Sequence, residues 1–360
     1  MSRNTQHIPG VERIAVLRAN GIGDLMFALP ALEALRGAYP AAKITLLATP
    51  WHKALIEGRP GPVDEVVTVP IWRGVREEAG VAEEAATIDA FFEEMQGRRF
   101  DLALQLHGGG GNSNRFVSRL GARVSAGLRA PGAPALDLNV PYVYYQSEVM
   151  RLLEVASSVG AVPVSLEPSL ALTSADRSEA EAVLPADGRP VALLNPGASD
   201  PRRRWPASKF AVVGDELAKV GARVAVIGGP DDEALGDDLV QCMHEPADYL
   251  VGRLSLGGLA GLLGRCRLLV SNDSGPLHLA AAVGAATVGI YWCGNLINAG
   301  PAFRTRHRPL LAWRLECPVC GLDCTRTSCN HDASFVADIP ESEVVEAALE
   351  HMRSTGATDD

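Results

Sequence analysis

Ser271-Asn272-Asp273-Ser274-Gly275-Pro276-Leu277-His278 is the stretch on which the reading of this chain turns. An apolar run, Arg267-Leu268-Leu269-Val270, precedes it, and an alanine-rich one, Leu279 to Val283, follows. A strand that ends in small polar residues and passes straight into a helix aims several backbone N–H groups at one spot, with the helix dipole behind them. Such a spot suits an anion such as a diphosphate. Asp273, Ser274 and His278 are read at its rim, with side chains able to hydrogen-bond a sugar or ribose. The same residues also describe an ordinary N-cap. A second strand-to-helix glycine turn near the N-terminus tips the balance toward a ligand site.

Outward from this stretch, short β-branched or Leu-rich runs alternate with helical patterns every ~25–35 residues, the rhythm of βαβ units and parallel sheets. Strands are expected at Arg13–Leu17, Lys43–Ala48, Asp64–Val69, Asp101–Leu106 and Arg123–Gly127, then at Val191–Leu194, Arg223–Ile227, Leu268–Val270 and Thr287–Tyr291. Helices are expected at Leu25–Arg36, Thr87–Gln96, Lys209–Val220, Ser255–Gly264 and Pro276–Val283. Pro163, Pro168, Pro185 and Pro190 punctuate a connection that holds a short helical stretch at Ser174–Val183. It divides a first domain, 1–170, from a second, 186–335. A last amphipathic helix follows at 340–353, with Pro340 at its start.

The chain has 360 residues, 47% apolar and 21% charged, with a net charge of -10. That balance argues against nucleic acid and against attachment to an anionic membrane by bulk charge. No segment has the ~18 uninterrupted apolar residues of a membrane span. The N-terminus lacks the apolar core of a secretory signal, so a cytoplasmic protein is expected.

Near the N-terminus, Arg13-Ile14-Ala15-Val16-Leu17 reads as a buried strand, and Arg18-Ala19-Asn20-Gly21-Ile22-Gly23-Asp24 as the loop that ends it. Glycines 21 and 23 allow a tight turn and close approach of a substrate. The third glycine of a dinucleotide fingerprint would fall on Met26, which rules that fingerprint out. Asp24 stands where a carboxylate is favoured at a helix start and where open α/β sheets bind ligands. It suits a base that takes a proton from a hydroxyl, and it equally suits a helix cap. Later, His107-Gly-Gly-Gly-Gly-Asn112-Ser-Asn-Arg115 follows a strand with four glycines that cannot pack as core. It is either a loop lining a substrate or a plain surface loop, and His107 is either a ligand group or a satisfied strand-end histidine.

Cys317, Cys320, Cys324 and Cys329 fall within thirteen residues. One C-x-x-C, with Pro318 and Gly321, gives the turn chemistry of a knuckle, and four thiolates can surround a structural Zn or Fe. His331 could replace one cysteine. Free thiols, reactive cysteines and incidental disulfides are the competing readings.

Taken as an ordered set, these segments resemble glycosyltransferase family 9, the heptosyltransferase family. The resemblance runs through Gly23-Asp24-Leu25, Gln105-Leu106-His107-Gly108, Asn195-Pro196-Gly197-Ala198, Arg202-Arg203-Arg204-Trp205-Pro206, Gly228-Gly229-Pro230-Asp231-Asp232-Glu233 and Asn272-Asp273-Ser274-Gly275 with His278. It implies a GT-B architecture: two Rossmann-like, doubly wound α/β domains facing a central cleft, with the final helix packing back on the first domain. It further implies an inverting transfer of heptose or a related sugar from a nucleotide donor, with ADP-heptose expected, to a saccharide, lipid-linked or protein acceptor. Asp24 matches the family's general base. Arg203 stands where the family usually has a Lys on the diphosphate. Asn195, Asp273, Ser274, Gly275 and His278 match the donor turn, and Asp232 or Glu233 matches an acid near the nucleoside. Gly23, His107, Asn112 and Arg115 are placed on the acceptor side. No paired acidic D-x-D motif lies at a strand end, so catalysis without a metal or other cofactor is expected. A sugar-nucleotide epimerase or hydrolase, and a non-catalytic nucleotide-sugar-binding protein, are the alternatives.

Overall fold

Four of the five residues of β1 (Arg13–Leu17) are wholly buried. A strand apolar on both faces belongs in a parallel sheet covered by helices on either side. The computed structural model, which describes residues 7–325 and 327–354, builds two such sheets. The chain divides into two compact units between Ala171 and Leu172.

In the first unit, β1 is followed by α1 (Ile22–Ala38), β2 (Lys43–Ala48), α2 (Pro50–Ile56), β3 (Glu65–Thr68), α3 (Ala85–Gly97), β4 (Leu102–Gln105), α4 (Ser113–Arg119), β5 (Val124–Arg129), β6 (Leu138–Pro141) and α5 (Glu148–Ser158). The strands pair in parallel in the order β3-β2-β1-β4-β5-β6. Phe92, Phe116, Met95 and Leu17 lie in one apolar layer against this sheet. Helix α1 runs uninterrupted through Pro30, which costs it one backbone hydrogen bond in a stretch buried from Ala28 to Leu32.

The second unit contains α6 (Ser174–Val183), β7 (Val191–Asn195), α7 (Ala207–Lys219), β8 (Arg223–Val226), α8 (Glu233–Cys242), β9 (Asp248–Tyr249), α9 (Leu256–Leu263), β10 (Leu268–Asn272), α10 (Gly275–Ala282), β11 (Thr287–Trp292), α11 (Cys293–Ala299), β12 (His307–Ala312) and α12 (Glu341–Ser354). Its order, β12-β11-β10-β7-β8-β9, is that of the first sheet read from the opposite edge. Each sheet therefore reverses direction once, between β1 and β4 and between β7 and β10. Those are the points at which doubly wound sheets hold ligands, outside the carboxyl ends of the strands. Register there is fixed by pairs such as Leu17↔Gln105 and Ser271↔Asn195.

Two expectations change. The stretch Ser174–Val183 is not a connection but the first helix of the second unit. Thr173 caps it, and it lies so tightly on α9 that a side chain at Gly261 would collide with the carbonyl of Asp176. The final helix, expected on the first domain, puts its apolar face into the core of the second. Val344, Ala347 and Ala348 are buried there against α7 and strands β10 to β12. The approach to this helix is pinned to the same unit: the Trp205 indole N–H donates to Ile339 O at 3.0 Å, and Lys209 Nζ donates to Ala337 O and Ile339 O, each at 3.0 Å.

Candidate active site

In the second unit, β10 delivers Asn272, Asp273 and Ser274 to the N-terminus of α10, with Ser274 as its N-cap. Pro276 brings a preset φ and no N–H, so the turn needs no partner at that position. Asp273 does not stand at a rim. It is 1% exposed: its Oδ1 meets His278 Nε2 at 3.0 Å, and its Oδ2 accepts from Asn295 Nδ2 at 2.7 Å and from Arg203 at 3.3 Å. Burial alone would raise its pKa, but the His278, Arg203 and Asn295 contacts prevail and hold the carboxyl below its ordinary value. Asp273 thus ties Arg203, from the loop after β7, to the start of α10, and Arg203 also reaches Asp273 O at 3.2 Å.

Asn195, the last residue of β7, donates through Nδ2 to Ser271 Oγ and Ser274 Oγ, both at 2.9 Å. Its Oδ1 and the Nε of Arg203 are buried and have no hydrogen-bond partner among the described residues. Buried polar atoms are rarely left so. Two orphans at one helix start fit a bound polar group. Gly275 opens α10. Of the two acids after β8, Asp232 is half-buried and Glu233 is exposed at the start of α8. Asp232 accepts from Gly229 N–H at 2.9 Å and lies against Gly197, where an added Cβ would come within 2.6 Å of its carboxylate oxygens. Asp232 is therefore the acid that shares the carboxyl end of the sheet with Asn195.

In the first unit, Asp24 is the third residue of α1. Its Oδ2 accepts from Gly21 N–H at 3.0 Å and its Oδ1 from Arg18 at 3.0 Å. The carboxylate is 40% exposed, and an ionised carboxylate has about four acceptor positions, so lone pairs stay open to solvent. The capping role read from the sequence is present, and it leaves the base role available. Gly23 lies in the same helical turn, half-buried.

Arg18 is the residue that sequence reasoning missed. Only 1% exposed, it donates to Asp24 O at 2.8 Å and to Glu148 Oε1 at 3.2 Å, besides the Asp24 carboxylate. A buried guanidinium demands such partners. An arginine directly after a buried strand and before a Gly-x-Gly-Asp turn was the available signal.

His107 is committed at both ring nitrogens. Nδ1 accepts from Ala19 N–H at 3.2 Å, and Nε2 contacts Gly74 O at 3.1 Å, as the neutral Nε2–H tautomer would. Burial, with Arg18 nearby, lowers its pKa to about 4. The satisfied strand-end histidine is what the fold contains. The glycine loop is anchored, not loose. Gln105 Nε2 donates to His107 O, to Gly108 O at 3.0 Å and to Ser113 Oγ at 2.6 Å, and Asn114 Nδ2 donates to Leu128 O at 3.1 Å and Pro134 O at 2.9 Å. Asn112 stands at the N-cap position of α4 and, like Arg115, is exposed.

The cysteine segment between β12 and α12 folds as a knuckle. Cys317 N–H donates to Leu322 O and Gly321 N–H to Cys317 O, both at 2.9 Å. Gly321 takes φ +70°, a value that favours glycine. Cys317, Cys320, Cys329 and His331 bring ligand atoms within 4.8 Å of one another. The expected set therefore changes by one member: His331 joins the group and Cys324 does not. The Cys324 backbone N–H donates to Leu315 O at 2.9 Å, and its thiol meets that of Cys329 alone in the group. Backbone N–H groups of Cys320 and Val319 pull the Cys317 thiol down to about 6.

Comparison with known proteins agrees with this geometry. The profile of glycosyltransferase family 9 (heptosyltransferase) matches residues 88–305. The lipooligosaccharide heptosyltransferase 2 of Haemophilus influenzae is 25% identical over 301 residues, covering 77% of this chain and 82% of that protein. The fold superposes on a family 9 glycosyltransferase of Veillonella parvula with a TM-score of 0.77 at 23% identity, covering 95% and 97% of the two chains. It superposes on the E. coli ADP-heptose lipopolysaccharide heptosyltransferase II with a TM-score of 0.76 at 20% identity, covering 96% and 100%. Two Rossmann-like sheets, a polar turn at each switch point and a profile match over more than half the sequence lead to one conclusion: the chain belongs to glycosyltransferase family 9, the heptosyltransferases, and has their GT-B fold.

Proposed function

We propose that this glycosyltransferase transfers a heptose from ADP-heptose to a hydroxyl of a core-type saccharide acceptor, with inversion at the anomeric carbon and Asp24 as general base. Asp24 takes the acceptor proton as the hydroxyl oxygen attacks the anomeric carbon from the face opposite the diphosphate. The bond to the β-phosphate oxygen breaks, and ADP leaves with the electron pair. The α10 N-terminus and Arg203 oppose the charge that develops, an effect worth about 3 kcal/mol per well-placed donor in comparable sites. Because this stabilisation comes from the chain itself, no divalent ion is assigned to the step. Asp232 is assigned to the nucleoside. The observation that carries the reading is the pair of orphaned buried atoms, Asn195 Oδ1 and Arg203 Nε, at the turn where the diphosphate would lie. The names of two similar proteins, an E. coli ADP-heptose lipopolysaccharide heptosyltransferase and a Haemophilus lipooligosaccharide heptosyltransferase, support this choice of donor and acceptor class.

Asp24→Asn tests it. Turnover should fall by about 10²–10⁴ while ADP affinity, measured by calorimetry, stays within about twofold. A variant with near wild-type turnover removes the assigned base. ADP release that does not depend on the acceptor would replace transfer with hydrolysis.

The knuckle is assigned a structural role. Three thiolates and an imidazole fit a tetrahedral Zn or Fe site with every position filled by protein. Bound there, the ion would brace the segment that joins β12 to α12.

A further inference from the structure

The strand β6 ends at Pro141, and the chain then runs Tyr142-Val143-Tyr144-Tyr145-Gln146 at the carboxyl edge of the first sheet. Val143 is 50% exposed, Tyr144 59% and Tyr145 40%; their neighbour Met150, on α5, is 43% exposed. Large apolar side chains grouped this way on a surface mark a contact site. Tyr144 and Tyr145 stand edge to face with centroids 4.9 Å apart, so the flat face of one is presented beside the rim of the other.

This loop is held by the same buried ions that hold Asp24. Arg18 bridges Asp24 Oδ1 and Glu148 Oε1, and Glu148 Oε2 pairs with Arg151. Arg151 then donates to Tyr144 O at 2.8 Å and to Gln146 O at 3.0 Å, and its guanidinium lies 4.6 Å from the Tyr142 ring centroid. Arg18 and Arg151 are almost wholly buried. A chain of charged groups that starts at one carboxylate and ends on the backbone of an exposed aromatic loop fixes the two relative to each other. Buried ion-paired networks hold geometry in this way, although the Nε of Arg151 finds no hydrogen-bond partner among the described residues.

We propose that Tyr144 and Tyr145 form the stacking platform for a sugar ring of the acceptor, kept in register with Asp24 by the Arg18–Glu148–Arg151 chain. A pyranose has an apolar C–H face that buries well on an aromatic ring, and its hydroxyls remain free for nearby polar groups. A lipid surface fits less well. Glu154 lies beside the loop, on α5, and the chain carries a net charge of -10, both of which oppose an anionic bilayer. The proposal rests on the transfer reading for the identity of the bound sugar as acceptor, and its test is chosen to separate the two.

The probe is a deacylated lipopolysaccharide core oligosaccharide. Saturation-transfer NMR on the full chain should show magnetisation passing from tyrosine ring protons to the saccharide. The double variant Tyr144→Ala/Tyr145→Ala should lose at least about four-fifths of it, and the Phe/Phe variant should keep it, because the ring face and not the hydroxyl makes the contact. In acceptor-dependent ADP release, the Ala pair should raise the acceptor KM at least tenfold with the ADP dissociation constant unchanged within twofold. Equal saturation transfer in wild type and the Ala pair, or none from tyrosine rings in wild type, overturns the platform. So does an Ala pair that loses sedimentation with anionic phosphatidylglycerol vesicles while its saccharide contact is intact. If saturation transfer behaves as expected but the saccharide elicits no ADP release, the transfer reading fails and the platform stands.

Discussion

Arg18 decides what Asp24 can do. A guanidinium with almost no exposure is tolerated here because two carboxylates and two carbonyl oxygens surround it. Its fork reaches Asp24 and Glu148 at once, a geometry that lysine cannot reproduce. Arg18→Met should leave Glu148 buried without one of its cations and destabilise the protein by about 3–5 kcal/mol in urea unfolding. Arg18→Lys should keep most of the stability and lower kcat with little change in ADP affinity, since Asp24 loses the group that orients it. An Arg18→Lys enzyme with unaltered kcat would show that this orientation is irrelevant to turnover.

At the scale of elements, the candidate residues in either unit lie at the last position of a strand or on the segment that follows it. β1 and β4 carry Asp24 and His107, and β7, β8 and β10 carry Asn195, Asp232 and Asp273. Gly197 is the test of how closely these segments approach one another. A methyl there would meet the Asp232 carboxylate at 2.6 Å, and the acid, a side chain at the end of the short 3-10 turn Pro230–Asp232, can swing away. Gly197→Ala should therefore weaken ADP binding about tenfold or more with a Tm near that of wild type; unchanged affinity would take Asp232 off the nucleoside. The knuckle gives a second element-scale prediction. Protein reconstituted with Co(II) should show thiolate charge-transfer bands that Cys324→Ser leaves in place and that His331→Asn or Cys329→Ser alters. The reverse pattern would restore Cys324 to the ligand set.

At the scale of the molecule, each unit has its own core and its own buried neutral histidines. His52 and His107 in the first unit, and His307 in the second, have pKa values lowered to about 3, 4 and 4, chiefly by burial. Thr49 and Thr287 hydroxyls meet His52 Nδ1 at 2.6 Å and His307 Nδ1 at 2.9 Å. The ordinary value is about 6.5, so between pH 6.5 and 4 the unfolded chain binds protons that the native rings refuse. Stability is then full above pH 6.5 and falls as pH drops, at about 1.4 kcal/mol per pH unit for each ring once well below 6.5. Urea titrations from pH 7 to 4.5 should show this decline, and His107→Gln should make it shallower. A slope unchanged by that variant would mean His107 titrates normally in the fold.

Most strands were legible because a parallel strand buried on both faces is apolar throughout, and Arg13–Leu17 and Lys43–Ala48 are of that kind. The edge strands β6 and β12 escaped, since each carries a proline and half-exposed residues that only an edge position tolerates. The two-residue β9 is too short to have a pattern. The polar turns at 20–24 and 272–278 were legible because small residues between a strand and a helix have few other uses, and the family followed from their order. Sequence by itself thus determined the doubly wound units, the polar turn at 272–278 and the position of Asp24. Only tertiary structure decided that Asp273 is an internal tie, that Arg18 and Arg151 join Asp24 to the tyrosine loop, that His331 gathers with Cys317, Cys320 and Cys329, and that the last helix stays with the second unit. Those facts depend on which residues far apart in the chain meet, and local propensity and spacing do not contain that information.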